Sequence, residues 1–587
     1  MPSLKEKLTA IVSNAFEAAG FDPALGEVVV SQRPDLGQFQ CNGALPAAKQ
    51  YKQNPRQIAQ VVLDHLSEPN IFSNLSLAGP GFINITLTDD YLAQHTREIA
   101  TDERLSSPLV EEPRTVVIDY GSPNVAKPMH VGQLRTSVIG ESLRHVYQFR
   151  GDRVIGDNHL GDWGLQMGML IYEIGQRMPD LPYFDPDYSG PYPDPLPLTM
   201  DDFQVMYPSV SARSEADPAV REAVRQATVE LQQGRPGYRA LWQKMMEISN
   251  ANQSDDFNML GIEFDYVYGE SHYHDMIPHM LAHLKEEGHV QRSEGALVIP
   301  LLPEDGREIA PLMLVKSDGG YGYGTTDLAT VILRVNQFKA DLVLYVIDQR
   351  QSYHLTQVFL AAKQAGLAPN TELVHVGFGT VNGPGGKPFK TREGGLMPLR
   401  RMIDASIKKA YERMAESGVA TEYDEAEQRD IAQKVGIATL KYADLMNDRL
   451  SGYIFDLEQF SRFEGKTGPY LLYTAVRIKS ILRKAAEASL TPGELLPPIE
   501  PVERDLMLVM ARFPEAVKLA YDECSPKHLC DFAYDLAQVF NQFYNKCHIL
   551  SESNAARQAS WLALLELCLK QLEQTLLLLG IETPERM

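Results

Sequence analysis

The sequence predicts a multidomain α/β protein, in which a small α/β appendage precedes a doubly wound parallel sheet and an all-α bundle closes the chain. Three observations lead to this prediction. Strand and helix signals occur twice in the order strand, helix, strand; apolar residues recur at helical spacing from about Glu425 onward; and 587 residues suffice for three or four domains.

The parallel sheet is predicted from the two strand, helix, strand units. A crossover helix joins neighbouring parallel strands, so the two units are expected to form the halves of one Rossmann-like, nucleotide-binding sheet. In the first unit the helical pattern stops at Gly151, a residue typical of helix ends. The segments are 116–120, 134–149 and 153–155 in the first unit and 341–347, 354–363 and 372–377 in the second.

The flanking regions differ in character. The first 105 residues mix helical and strand-like signals and include a Gly-Pro turn followed by a predicted strand at 82–87. Residues 179–202 are so rich in Pro, Asp and Tyr that we expect a surface loop without a packed element. Beyond Glu425, apolar stripes such as Leu536, Val539 and Phe540 predict a helical bundle.

Composition and charge exclude several classes of protein. A formal net charge of -22 and a pI near 5.1 argue against a general basic field, so any RNA must be held by local basic patches. The five cysteines contain no CxxC pair, which indicates neither a disulfide framework nor a multi-cysteine zinc site. Without a signal-peptide core or a stretch of about 18 apolar residues, we expect a soluble, cytoplasmic protein.

One histidine pair could bind a metal ion. His279 and His283 are four residues apart on a predicted helix. No carboxylate or cysteine is spaced to complete such a site, so a solvated helix face explains the pair better and no tightly bound metal is expected.

The first candidate site lies between the first predicted strand and its helix, where backbone N–H groups and the positive helix end favour phosphate. His130 and Gln133 would share one face of the first helical turn, and Gly132 would leave room for a nucleotide. Two hydrogen-bonding side chains could then meet charge on a reacting phosphate without a covalent nucleophile. A lone histidine more often caps a helix or packs, so the surrounding residues decide.

A glycine-rich loop is the second candidate. Residues 382–395 carry Lys387, Lys390 and Arg392 after the last predicted strand. Mobility combined with positive charge suits a clamp on pyrophosphate. A solvated basic turn is the alternative for this loop taken alone.

A basic segment is the third candidate. Residues 462–484 hold six basic side chains against the single acid Glu464, a net charge of about +5, with Tyr470 and Tyr473 among them. Basic and aromatic side chains together suit unstacked RNA bases. A basic helix face with core tyrosines is an equal alternative from the residues alone.

The run from Ser122 to Gln133 resembles the HIGH motif of class I aminoacyl-tRNA synthetases in its arginyl form, including the preceding Ser-Pro-Asn-x-Ala-Lys. Gln133 stands where that family has a second histidine. Glutamine donates a hydrogen bond but carries no charge, so we expect activity to survive with altered ATP affinity or pH dependence. The glycine-rich loop resembles the divergent KMSKS loop, and the resemblance extends over essentially the whole chain, most densely at 115–170, 316–395 and 440–480.

The resemblance implies an ATP site and an arginine site. Tyr323 and Asp327, four apart on one face of a predicted helix, would hold the guanidinium, although Asp327 alone is more often an acid at a helix start. Gly161 and Asp162 could also form a purely structural turn. The implied catalytic residues are His130, Gln133, Lys127, Lys390 and Lys387. The implied ATP-binding residues are His130, Gly132, Gln133, Gly161, Asp162 and Lys390. The implied arginine-binding residues are Asp119, Ser122, Asn124, Tyr323, Asp327 and Gln351.

The resemblance also implies two tRNA-binding regions, although the amino-terminal residues would suit a bare folding module equally. The implied contacts are Gln40, Phe82 and Asn84 near the amino terminus and Tyr470, Tyr473 and Arg477 in the bundle. We therefore expect an elbow-binding α/β domain at 1–108, a class I catalytic domain at 109–405 with an insertion at about 175–295, a helical connective region at 406–465 and an all-α anticodon-binding domain at 466–587.

The implied activity is that of an arginine–tRNA ligase. Its substrates would be L-arginine, ATP with Mg²⁺ and tRNA(Arg), with no organic cofactor and no membrane, and we expect a monomer. In this family activation generally requires bound tRNA, so pyrophosphate exchange should be negligible without it. The alternatives are a class I enzyme for another basic or small polar amino acid, and a non-catalytic RNA-binding relative, which Gln133 alone favours.

Overall fold

The computed structural model describes residues 2–303, 305–317, 319–387, 389, 397–418 and 422–587. The chain forms two compact units. The first combines Met1–Val110 with Phe463–Leu578 and Glu582–Met587, and the second combines Glu111–Arg462 with Leu579–Ile581. Within the described ranges, no helix combines the length and apolarity needed to span a membrane.

A four-stranded antiparallel sheet organises the amino-terminal part of the first unit. Its elements are α1 (Leu4–Ala18), β1 (Val28–Val30), β2 (Phe39–Cys41), α2 (Ala44–Tyr51), α3 (Pro55–Asp64), β3 (Phe72–Ala78), β4 (Phe82–Leu87) and α4 (Asp89–Thr101). The strand order is β1-β2-β4-β3, and β4 is the strand predicted at 82–87. This sheet places β2 and β4 side by side.

The second unit contains the remaining strands. Its elements are β5 (Thr115–Asp119), α5 (Val131–Arg150), β6 (Arg153–Leu160), α6 (Leu165–Arg177), α7 (Met200–Ala216), α8 (Pro218–Gln232), α9 (Pro236–Met259), β7 (Tyr266–Gly269), α10 (Glu270–Tyr273), α11 (Ile277–Glu286), β8 (Gln291–Ser293), β9 (Ala296–Ile299), β10 (Leu312–Val315), α12 (Tyr323–Asn336), β11 (Leu342–Tyr345), α13 (Ser352–Gln364), β12 (Glu372–His375), β13 (Val381–Asn382), α14 (Leu399–Ser417), α15 (Glu425–Leu445), β14 (Tyr453–Ile454) and α16 (Leu457–Phe460).

The central sheet has the order β12-β11-β5-β6-β7, and all its strands are parallel. This confirms the predicted doubly wound sheet. The strand β5 is a run of buried, mostly β-branched residues, as expected of a strand covered on both faces. The strand order reverses between β5 and β11, and ligands of such sheets bind in the crevice at the carboxyl ends of those strands.

The prediction of an unpacked surface loop at 179–202 is wrong. The segment has only a short 3-10 helix, Pro182–Phe184, before α7 begins, yet its apolar side chains join a core with α6 and α9. Tyr183 and Leu196 are buried, and the Tyr183 hydroxyl donates to the Pro193 carbonyl at 2.7 Å. Proline and aspartate ended the regular elements but did not prevent the tyrosines and leucines from packing.

The carboxy-terminal part of the first unit is the predicted helical bundle. Its helices are α17 (Gly468–Glu487), α18 (Pro501–Met510), α19 (Phe513–Asp522), α20 (Lys527–Lys546) and α21 (Ala555–Leu578). The stripe through Leu536, Phe540 and Phe543 of α20 is fully buried. Its three- and four-residue spacing is the reason why one face of α20 packs against the other helices.

Candidate active site

The mouth of α5 is closed by side chains of its own first turn. His130 is the N-cap residue, and its Nδ1 accepts a hydrogen bond from the Gly132 N–H at 3.0 Å. The Oε1 of Gln133 accepts one from the His130 N–H at 2.9 Å. This capping box satisfies two donors at the helix start. The sequence predicts that both side chains face a ligand, whereas the Gln133 carbonyl oxygen faces the backbone and only its amide group could do so.

The hydrogen bond to Nδ1 fixes the state of the His130 ring. A neutral histidine that accepts at Nδ1 carries its proton on Nε2. Burial, and then the charge of Lys127, lower the pKa of His130 below its usual 6.5. The ring is therefore uncharged at neutral pH and can donate from Nε2–H, as is suited to charge developing on a phosphate.

The position of the His130 ring explains Gly132. A Cβ at position 132 would lie 2.6 Å from His130 Cε1 and 2.8 Å from Nδ1. Any side chain there would displace the imidazole. The sequence attributes this glycine to room for a nucleotide, and the structure shows a nearer reason within the chain itself.

The loop between β5 and α5 is held by the helix α9. Ser249 Oγ accepts from the Ala126 N–H at 2.9 Å, and Gln253 Nε2 donates to the Asn124 carbonyl at 3.0 Å. Ser249 and Gln253 are buried, while Ala126 and Ser122 have left-handed φ angles of +57° and +43°. Such backbone costs about 1–3 kcal/mol per residue and persists only where its surroundings enforce it. Sequence reasoning missed both α9 residues, because a serine and a glutamine on a helix carry no distinctive signal.

The structure brings Asn124 and Gly161 together but orients Asp162 elsewhere. The Val125 N–H donates to the Gly161 carbonyl at 3.1 Å, and a Cβ at position 161 would overlap Asn124 Oδ1. The buried Asp162 carboxylate accepts from the N–H and Oγ–H of Ser271 at 3.0 and 2.6 Å. Burial raises the pKa of Asp162. Its side chain thus links the end of β6 to α10.

Asp119, implied as an arginine-binding residue, already neutralises an arginine of the chain. The buried Arg334 of α12 places its NH2 group 2.8 Å from Asp119 Oδ2 and 2.6 Å from Asp157 Oδ2. Ser122 Oγ donates to Asp119 Oδ1 at 3.2 Å. Contact between Asp119 and a substrate would therefore involve Oδ1 together with Ser122.

The residues implied for the guanidinium lie in the first turns of α12. Tyr323 is its first residue and is 78% exposed. Asp327 Oδ2 lies 2.6 Å from Nε2 of His354 on α13, and this hydrogen bond raises the pKa of His354. Gln351 is exposed and ends the 3-10 helix Gln349–Gln351, three residues before His354. The start of α13 therefore carries both Gln351 and the partner of Asp327.

Glu270 is a candidate that sequence reasoning missed. It begins α10 at the carboxyl end of β7. Burial, and then the charges of Asp162 and Asp327, raise its pKa to about 7. Only its place after a strand could have pointed to it, and that strand is short. A carboxyl with a perturbed pKa beside another acid is a candidate for binding a cation.

The glycine-rich loop starts on a strand pair. β13 pairs in parallel with β14, and the Gly383 N–H donates to the Lys387 carbonyl at 2.7 Å. The Lys387 side chain is exposed. Lys390 and Arg392 lie outside the described residues.

The same loop ends on the segment that carries His130. The Leu399 N–H donates to the Met129 carbonyl at 2.8 Å, the Val131 N–H donates to the Met397 carbonyl at 3.1 Å, and His130 and Pro398 form an antiparallel bridge. The end of the lysine-bearing loop and the mouth of α5 are thus one hydrogen-bonded unit.

Lys127 contacts an aromatic ring from the insertion. Its Nζ lies 3.8 Å from the centre of the Tyr207 ring on α7. A cation over a tyrosine face is attracted to it, so Tyr207 restricts the Lys127 ammonium three residues before His130.

In the first unit, the implied anticodon-binding residues form one cluster. The Tyr470 hydroxyl accepts from Asn541 Nδ2 at 2.9 Å, and Arg477 donates to Asn541 Oδ1 at 2.6 Å. The Arg477 guanidinium lies 4.7 Å from the Tyr473 ring and 5.5 Å from the Tyr544 ring. Asn541 and Tyr544 of α20 were missed, because only the packing of α17 against α20 brings them here.

The positive charge of this region is smaller than the sequence count suggests. Lys466 pairs with Asp531, and Lys479 pairs with Glu573 and Glu585 at 2.9 Å each. These acids lie more than 60 positions further along the chain, so a count within 462–484 omits them.

The implied elbow-binding residues lie on adjacent strands. Gln40 of β2 is opposite Asn84 of β4, and its Nε2 donates to Asn84 Oδ1 at 2.9 Å. Asn84 is buried, whereas Gln40 and Phe82 are half-buried. Asn84 therefore supports Gln40, and the latter two side chains are the accessible ones.

Three family models match the chain in succession. The Arginyl tRNA synthetase N terminal domain matches residues 3–87, the class I (R) tRNA synthetase catalytic domain matches 95–457, and the DALR anticodon binding domain matches 471–587. The arginine–tRNA ligases of Maricaulis maris and Alkaliphilus oremlandii are 48% and 46% identical to the chain, each over all of both sequences.

Solved structures show the same relation. The arginyl-tRNA synthetase of Plasmodium falciparum superposes with a TM-score of 0.82 at 26% identity, covering all of both chains. The Thermus thermophilus arginyl-tRNA synthetase gives 0.79 at 22% identity over all of both chains and shows the shared fold alone. With a catalytic-domain match over more than half of its length and full-length relatives at 46–48% identity, the chain belongs to the arginyl-tRNA synthetase family of class I enzymes.

Proposed function

We propose that the chain is an arginine–tRNA ligase, which activates L-arginine with ATP and transfers it to the 3′ end of tRNA(Arg), releasing AMP and pyrophosphate. The observation that carries this proposal is the antiparallel pairing of 397–399 with 129–131. It joins a neutral histidine at a helix mouth to the end of a lysine-bearing loop. Phosphate donors and a clamp for pyrophosphate then lie on one framework.

In the activation step, the arginine carboxylate attacks the α-phosphate in line and pyrophosphate leaves. His130 Nε2–H and the amide of Gln133 stabilise the charge that spreads over the phosphate, with Gly132, Gly161 and Asp162 lining the nucleotide site. Lys127, Lys387 and Lys390 neutralise the leaving pyrophosphate. ATP enters with Mg²⁺ on its phosphates as part of the substrate, so the chain supplies orientation and electrostatics rather than a covalent nucleophile.

The amino acid is held by both ends. Tyr323 and Asp327 bind the guanidinium, which presents a fixed fork of donors to a carboxylate. The amino and carboxylate groups are bound by residues at the crevice, namely Asp119, Ser122, Asn124 and Gln351. This division leaves the carboxylate free to react.

In the transfer step, a hydroxyl of the terminal ribose attacks the arginyl carbonyl and displaces AMP. We propose that Gln40, Phe82 and Asn84 serve the tRNA elbow and that Tyr470, Tyr473 and Arg477 serve the anticodon. Half-exposed aromatic rings beside an arginine suit the stacking of splayed bases. We further propose the division at 1–108, 109–405, 406–465 and 466–587, a monomer, and action in the cytoplasm.

The test is ATP-dependent arginylation of total tRNA, with each amino acid offered in turn. We expect arginine alone to be attached, and His130→Ala to reduce kcat by about 100-fold, in the range for loss of one transition-state donor. The matched control is His65→Ala, an exposed histidine in the first unit. Attachment of another amino acid, or an unchanged rate for His130→Ala, would contradict the proposal.

A further inference from the structure

The carboxylate implied for the guanidinium already has a partner within the chain. Asp327 Oδ2 and His354 Nε2 are 2.6 Å apart, a short distance typical of a charge-assisted hydrogen bond. Both side chains are about one third exposed. The pair therefore lies at the border of the crevice, where a substrate could reach Asp327 without displacing the histidine.

The backbone of His354 is itself fixed. His354 belongs to the first turn of α13, whose Gln357 donates to the Ala310 carbonyl at 2.8 Å. The neighbouring Tyr353 hydroxyl accepts from the Ala310 N–H at 3.1 Å. Two bonds to one peptide segment thus hold this turn, and a histidine on a held turn can hold the carboxylate that it contacts.

The position of the bond determines which oxygen of Asp327 remains for a ligand. With Oδ2 bonded to the histidine, Oδ1 is the oxygen without that contact. A free carboxylate on the first turns of a helix rotates about its terminal torsion, and ordering it on binding costs free energy. A carboxylate that is already ordered avoids this cost.

We propose that His354 is a positioning residue of the arginine site, whose Nε2–H holds Oδ2 of Asp327 and so presents Oδ1 to the guanidinium. This inference rests on the proposed function, because it takes Asp327 as the guanidinium acceptor. His354 acts through Asp327 and does not touch the reacting atoms. Its loss should therefore weaken arginine binding and leave the chemical step largely intact.

The experiment measures arginylation at saturating ATP and tRNA while arginine is varied. His354→Ala should raise KM for arginine roughly tenfold, the loss expected for one hydrogen bond to a charged group, with kcat changed by less than about threefold. His354→Gln should restore most of the affinity, because its amide can donate to Asp327. His354→Asn, whose amide is shorter, should not.

The matched control is His528→Ala in the helical bundle. His528 Nε2 lies 2.7 Å from Glu523 Oε2, so this variant removes a similar histidine–carboxylate bond elsewhere. Its KM for arginine should stay at the wild-type value. Thermal melting of all variants monitors folding, and the Gln and Asn variants decide the question if the alanine variant does not fold.

Asp327→Asn separates this inference from the proposed function. An unchanged KM for arginine in that variant would refute Asp327 as the acceptor and with it the arginine site. A raised KM there, with a wild-type KM in the His354 variants, would overturn only the role of His354. In the Asp327→Asn background, His354→Ala should cost less than about twofold further, and a full tenfold loss would show that the histidine acts otherwise.

Discussion

The mouth of α5 and the start of α12 are both rich in polar contacts, but the contacts have different origins. At α5, His130 bonds to groups two and three residues away, so the contacts form as the first helical turn forms. At α12, Asp327 bonds to a histidine 27 residues away, and Arg334 bonds to Asp119 and Asp157 across the sheet. The first region is held locally, whereas the second exists only when β5, β6 and α12 have assembled.

The largest effect should come from breaking the long-range contacts. Arg334→Ala leaves two buried carboxylates without their counter-charge, and we expect the free energy of unfolding to fall by about 3–5 kcal/mol, measured as a lower urea midpoint of the second unit. The matched control is Arg350→Ala, since Arg350 pairs with Asp348 at 2.7 Å but is 79% exposed. That surface pair should contribute about 0–1 kcal/mol. Equal shifts for both variants would refute the distinction between the two regions.

A local contact should affect the rate more than the stability. Gly132→Ala would place a Cβ 2.6 Å from the His130 ring, and displacement of the ring should lower kcat/KM for arginylation by about 100-fold. The urea midpoint should change little, because alanine is a good helix residue. Gly164→Ala is the control, since a Cβ there has no atom within 4 Å. Wild-type kcat/KM in the Gly132 variant would mean that the ring position is unimportant.

The two regions also differ in how far the sequence predicts them. The parallel sheet, the helix after Ser122 and the bundle follow from periodicity, and the cap at His130 and Gln133 follows from spacing alone. The bond between Asp327 and His354, the burial of Tyr183 and the pKa of Glu270 depend on which segments meet in space. Such contacts leave no spacing in the sequence, which is why the predicted site residues outnumber their predicted partners.

An intermediate effect should appear as a pH dependence of arginine binding. The Glu270 carboxyl, with a pKa of about 7, is mostly neutral below that pH and charged above it, so attraction for a cation grows as pH rises. We expect KM for arginine to fall roughly tenfold from pH 6 to pH 8. Glu270→Gln should remove most of this slope. A smaller slope should remain, because His354 also loses its proton over this range, and an unchanged slope would exclude Glu270 from the site.

The smallest effect should come from Gln133, where local structure and ligand contact can be separated. Gln133→Ala removes the acceptor for the His130 N–H and should cost about 1 kcal/mol of stability. Gln133→Glu keeps that acceptor and suits the positive helix end, so the urea midpoint should be preserved or raised. The same carboxylate adds a negative charge beside the proposed phosphate site, so KM for ATP should rise. A preserved midpoint together with an unchanged KM for ATP would mean that Gln133 only caps α5, and that the histidine it replaces is not needed for binding phosphate.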